Sequence, residues 1–139
     1  KKLNLESNEL TVVPEAIGFC EELQDLNLAK TRYKSLSNTL LTVQELDFAG
    51  FALEQALDFD SVPKSYELDS LVLAFNFISA IGNLENCPNL TVLDLHNNRI
   101  QDLPQSVLFL NNLKTLNVSN NDLSDLSPQL SLLDNLVRI

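Results

Sequence analysis

Several things are scarce in this chain, and each scarcity excludes a class of function. Its three glycines, Gly18, Gly50 and Gly82, stand far apart and cannot form the close-set loop that wraps a phosphate. Its one histidine, His96, follows Asp94 by two residues, but the surrounding stretch supplies neither a nucleophile nor an oxyanion donor, so no catalysis is expected. Basic residues number 9 against 19 acidic ones, for a net charge of −10, and no basic run exceeds Lys1-Lys2. Nucleic acids and anionic membrane surfaces both select for basic stripes, so neither is an expected partner. The longest apolar run, Leu71 to Phe75, is five residues, far short of the roughly eighteen that cross a bilayer. Acidic residues such as Asp25, Glu45 and Asp47 do not converge the roughly six to eight oxygens of a calcium site. No metal and no cofactor is therefore expected.

What the chain does have is a recurring pattern. The stretch Leu90 to Pro104, LTVLDLHNNRIQDLP, spaces Leu90, Leu93, Leu95, Ile100 and Leu103 around Asn98. That spacing is neither helical nor alternating throughout; it is one turn of a coil whose apolar side chains converge on a shared interior. Leu-x-apolar blocks recur at Leu3, Leu26, Leu46, Leu71, Leu93 and Leu116, at separations of 23, 20, 25, 22 and 23 residues. After four of the blocks an asparagine follows at a fixed offset (Asn8, Asn76, Asn98, Asn121), with Thr31 and Phe51 in the other two. Where backbone groups lose their strand partners at a turn, stacked side-chain amides can satisfy them.

These motifs resemble leucine-rich repeats, and the resemblance weakens only between about Gly50 and Glu67. It implies an α/β right-handed solenoid, a horseshoe with a parallel sheet on its concave face and about six coils. Those coils span roughly 1–22, 23–42, 43–67, 68–89, 90–112 and 113–135, with 136–139 opening the next. Neither end carries a polar cap, so the chain reads as a slice of a longer array. Strands are expected near 3–5, 26–28, 46–48, 71–73, 93–95 and 116–118. The third coil is irregular, and two registers compete for it. One places Val43, Leu46, Phe48, Phe51, Leu53 and Ala56 inside; the other starts the coil at Leu46. The first is preferred because it keeps the Leu-x-Phe strand core.

On the return arcs, Cys20 and Cys87 occupy a slot that other coils fill with Val43, Leu110 and Leu133, which marks both as small core residues. They are three coils apart, on the order of 15 Å, beyond disulfide reach. Extracellular arrays of this repeat class usually carry disulfide-bonded cysteine clusters at their ends, and with none visible here a reducing, cytoplasmic setting is expected. Phe19 and Phe109 share another return-arc slot, where rings could stack as a spine.

Function is expected from the strand residues that alternate away from the core. Asp25, Asn27, Glu45 and Asp47 make one flank of that face acidic, Asp94 and His96 belong to the other flank, and Val72 and Ala74 make the centre apolar. Phe75 and Phe77 adjoin that centre, in slots where the next coils place Asn97 and Arg99, then Asn120 and Asp122. Two readings of these rings stay open: a binding hot spot, or burial beneath the segment 54–67. Val13-Pro14 and Leu103-Pro104 in a 23-residue period resemble the intracellular Ras-suppressor-like class, and the coil from Leu68 resembles those of a protein-phosphatase regulatory subunit. The resemblance implies a non-catalytic scaffold that binds a protein partner, possibly with a basic surface, on its concave face. The alternatives are a segment of an extracellular receptor, with sequons at Asn89 and Asn117, or the regulatory arm of an enzyme.

Overall fold

The fold was obtained as a computed structural model, which describes residues 1–11, 17, 20–31, 43–50, 53 and 67–137. Expectations for Val13, Pro14, Phe19, Tyr33, Leu36, Leu40, Phe51, Ala56 and the segment 54–66 lie outside the described residues.

Each Leu-x-apolar block forms one short strand: β1 (Lys2–Asn4), β2 (Asp25–Asn27), β3 (Glu45–Asp47), β4 (Ser70–Val72), β5 (Val92–Asp94) and β6 (Thr115–Asn117). The six lie in chain order in a single parallel sheet, with Leu3, Leu26, Leu46, Leu71, Leu93 and Leu116 in register. Each strand begins one residue earlier than the apolar spacing suggests. Hydrogen bonding, not hydrophobicity, sets that boundary: the N–H groups of Asp25, Glu45, Ser70, Val92 and Thr115 already donate across to the preceding coil. The ladder also continues past the strand, where Leu28, Phe48, Leu73 and Leu95 donate to the carbonyls of Asp47, Val72, Asp94 and Asn117. From β2 to β5 both apolar residues of each block are buried, while the residue between them is partly exposed.

The sheet's inner face and the return arcs close over a single core. Val43, Leu84, Cys87, Val107, Leu110, Leu130 and Leu133 are all buried there. Burial raises the Cys87 thiol pKa to about 11. In the 3₁₀ turn Gln105–Phe109 and the one at Pro128–Leu132, residues three apart eclipse, so Val107 aligns inward with Leu110 and Leu130 with Leu133. Phe109 and Leu132 then point outward, 63% and 68% exposed. The expectation that Phe109 helps form an internal aromatic spine is therefore corrected. Cys20 is corrected too: it is exposed, whereas Cys87 is buried, and no disulfide joins them. Leu126 is 40% exposed. Cys20 and Leu126 belong to the first and last coils, which here have a neighbour on one side only.

The asparagine ladder forms as the spacing predicts. Asn98 Nδ2 donates to Leu95 O at 2.8 Å in its own coil and to Leu73 O at 2.9 Å in the preceding one, while Oδ1 accepts from Ile78 N at 3.0 Å. Asn76 repeats this with Leu73 O, Phe48 O and Leu53 N, and Asn121 with Val118 O, Leu95 O and Ile100 N. Leu53 therefore takes the role of Ile78 and Ile100, which establishes the preferred register of the third coil. Among the described residues Thr31 makes the local side-chain bond alone, from Oγ1 to Leu28 O at 2.8 Å. A second ladder, unforeseen in the sequence, runs along the opposite edge: Asn112 Nδ2 donates to Pro88 O at 3.2 Å and Asn135 Nδ2 to Asn111 O at 2.7 Å.

Candidate partner-binding face

Three strands contribute the middle of the exposed sheet face. Asp47, Val72 and Asp94 are neighbours in register, as are Glu45, Ser70 and Val92. Most Asx residues of this face also hold their own backbone. Oδ1 of Asn4, Asn27, Asp47, Asp94 and Asn117 accepts the N–H two residues on, from Glu6, Ala29, Ala49, His96 and Ser119 at 2.8 to 3.3 Å. These local turns brace the exit from each strand. Sequence reasoning assigned Asn27, Asp47 and Asp94 to partner contact alone. The shared offset from strand to turn is the signal that would have revealed this second role. Val72 breaks the column, because it has no oxygen to offer the Ala74 N–H.

The acidic character of the face is uneven. Lys2 lies 2.7 Å from Asp25 and Lys30 lies 2.8 Å from Glu6, and those carboxylates raise both lysine pKa values. Negative charge therefore concentrates further along, at Asp47. Partial burial pushes its carboxyl above the ordinary range, the Ala49 N–H opposes that, and repulsion from Glu6, Asp94 and Asp25 adds to it. Glu45 is exposed and Asp94 half-buried. Asp94 Oδ1 also contacts His96 Nδ1 at 2.6 Å, so its charge is partly engaged within the chain.

After each strand the chain makes the same left-handed turn. Ser7, Lys30, Gly50, Phe75, Asn97 and Asn120 all have φ between 54° and 65°. Glycine and asparagine tolerate this region and an aromatic side chain does not suit it. Phe75 is nevertheless held there by its N–H bond to His96 O at 2.9 Å, and its ring is 59% exposed. Phe77, 46% exposed, is held by its N–H bond to Leu53 O. Both side chains thus stand exposed, and the segment 54–66 of the second reading lies outside the described residues. Ala74 departs from expectation: it is 1% exposed. The backbone leaves the pleat here to enter the turn, and its methyl group is too short to emerge. Ala29, in the equivalent position, is likewise buried.

Each phenylalanine meets a side chain of the following coil. The ring of Phe75 and the imidazole of His96 pack edge to face with centroids 4.6 Å apart. The Arg99 guanidinium carbon lies over the Phe77 ring, 4.8 Å from its centroid, a cation–π contact. Sequence reasoning noted Arg99 only as a polar occupant of its slot. The 22-residue offset from Phe77 brings it into place. Among the described residues no cluster of three or more potential metal ligands occurs, and no helix is long and apolar enough to cross a membrane.

Stacked coils of one strand each, an asparagine ladder at the turn and an apolar interior define a repeat solenoid. The chain belongs to the leucine-rich-repeat family: the two-copy leucine-rich-repeat family matches residues 67–111, and the single-repeat family matches residues 112–133. Over 101 residues, 73% of the chain, it is 31% identical to an uncharacterised leucine-rich-repeat-containing protein of Schizosaccharomyces pombe. A leucine-rich-repeat protein of Leptospira interrogans superposes over 99% of the chain with a TM-score of 0.82 and 28% identity. An internalin of Listeria monocytogenes does so over 99% with a TM-score of 0.85 and 26% identity. The chain spans 13% of the length of the yeast relative and 36% and 59% of the two bacterial structures. The fold and family are typically those of non-catalytic protein-interaction domains.

Proposed function

We propose that this chain is a non-catalytic scaffold that holds a protein partner against its concave sheet and the adjoining turn edge of the fourth and fifth coils. The observation that carries this reading is the pair Phe75 and Phe77. Two large apolar rings stand in solvent on a backbone pinned on both sides, one of them in a conformation unfavourable to it. Rigid exposed aromatics of this kind are the usual anchors of protein interfaces, and fixing them beforehand lowers the ordering cost of association. Val72 extends the apolar patch onto the sheet. Glu45, Asp47 and Asp94 ring it with negative charge that draws and orients basic groups of the partner. A cytoplasmic setting and likeness to the Ras-suppressor-like class belong to the same reading; the separation of Cys20 from Cys87 supports the former, and the Leu103-Pro104 element and 23-residue coils the latter.

Photo-crosslinking tests it. A benzoyl-phenylalanine at position 72 or 77 should crosslink a discrete protein in extract from the source cells, and one at position 132 on the convex side should not. Equal crosslinking from all three positions would contradict the proposal.

A further inference from the structure

The turn edge contains a cation that pairs with no carboxylate among the described residues. Lys1, Lys2 and Lys30 each sit 2.7 to 2.8 Å from a carboxylate. Arg99 is exposed and, like Lys114, has no carboxylate within ion-pair distance among the described residues, although Asp122 fills the matching slot of the next coil. Instead the guanidinium lies against the Phe77 ring. A guanidinium stacked through its face keeps its in-plane N–H fork available, and that fork matches a carboxylate in bidentate geometry. The backbone beneath is fixed: Arg99 N–H donates to Ile78 O at 2.9 Å, Phe77 N–H to Leu53 O at 2.8 Å and Phe75 N–H to His96 O at 2.9 Å. A preset apolar pair is thus joined to a preset anion receptor.

We infer that this edge receives an extended peptide segment in which a carboxylate side chain is flanked by apolar ones. The carboxylate takes the Arg99 fork, and the apolar side chains cover Phe75 and Phe77. Carboxylate pairing and ring stacking use different faces of the guanidinium, so the Phe77 contact persists in the complex. The inference rests on the reading of this surface as a protein-binding site, and it specifies the chemistry of one contact within it. The segment's acidic residue complements Arg99, while basic groups elsewhere on the partner meet Asp47 and Asp94.

The test is selection of a random twelve-residue peptide library on phage against the purified chain, followed by titration of the synthesised winners against variants checked for an unchanged thermal unfolding midpoint. Winners should carry Asp or Glu beside apolar residues. Arg99→Gln should weaken them about ten-fold, as expected when one charged hydrogen-bonded contact is lost, and Arg99→Glu should redirect selection toward Lys and Arg. Winners that bind Arg99→Gln as well as wild type would overturn the inference. If those same winners still failed on a Phe75→Glu/Phe77→Glu variant, the binding surface would stand and only its anion preference would fall. Selection of no peptide at all would also overturn the inference, and the photo-crosslinking experiment would then decide separately on the surface itself.

Discussion

The fourth and fifth coils share one backbone and present opposite surfaces. Both place a central leucine in the sheet, a left-handed residue after it (Phe75, Asn97) and a buried ladder asparagine next (Asn76, Asn98). The inward slots of the strand and the ladder turn agree between them: Leu71 with Leu93, Leu73 with Leu95, Ile78 with Ile100. The exposed slots diverge: Val72 against Asp94, Phe75 against Asn97, Phe77 against Arg99. Fold and recognition are therefore written on separate sets of positions within the same fifteen or so residues, as expected of a quasi-one-dimensional stack whose coils touch only their neighbours. The fifth coil has the residues a stable turn wants; the fourth gives up a local hydrogen bond and a comfortable turn residue to expose apolar surface.

That contrast can be broken most severely from the inside. Leu95→Ala, in the fully buried slot common to both coils, should cost about 2–5 kcal/mol in chemical denaturation. Next comes the ladder: Asn98→Ala strands Ile78 N and leaves Leu73 O and Leu95 O with one amide donor each, from Asn76 and Asn121, and should cost roughly 2 kcal/mol. Thr31→Ala, with a single local bond to lose, should cost only about 1 kcal/mol. Giving the fourth coil a side-chain acceptor like the one Asp94 provides in the fifth sharpens the comparison. Val72→Asn supplies the missing acceptor for the Ala74 N–H and should raise stability by about 1 kcal/mol while weakening partner binding.

The smallest effect concerns pH. The Asp47 pKa is raised in the folded state, so its ionised form is disfavoured there: the group supports folding when protonated, and that support is lost as pH rises through its folded pKa. Asp47→Asn retains the acceptor for Ala49 and should therefore be the more stable protein at neutral pH. Urea midpoints should show the advantage disappearing as pH falls below the ordinary aspartate value of 3.8.

The inward positions were legible in the sequence because a repeat prints each of them several times, and a Leu at Leu93 is read more securely when Leu71 and Leu116 agree. The ladder was legible for the same reason, including the third coil's register through Leu53. The outward positions offered no such redundancy. Asp47 and Asp94 looked like free surface charges, because alternation assigns a side chain to a face and says nothing of its bond to the backbone two residues on. Ala74 alternates outward in the pattern yet is buried, since the pleat ends where the turn begins. Arg99 was legible only as a charge, because its stacking on Phe77 depends on the lateral match of two coils. Cys20 was assigned inward by its slot, which Leu133 fills and is buried in, yet Cys20 itself is exposed.

The central claim is that the fourth coil sacrifices stability to hold Phe75 in solvent, and Phe75→Asn tests it most directly. Asparagine suits a φ of 56° and also occupies the matching slots at Asn97 and Asn120. The paired measurement is the thermal unfolding midpoint together with the affinity for the selected acidic–apolar peptides. A midpoint equal to or above wild type, with markedly weaker binding, is the predicted result. A midpoint lowered by several degrees would make Phe75 a packing residue, and undiminished affinity would place recognition elsewhere; either would contradict the account.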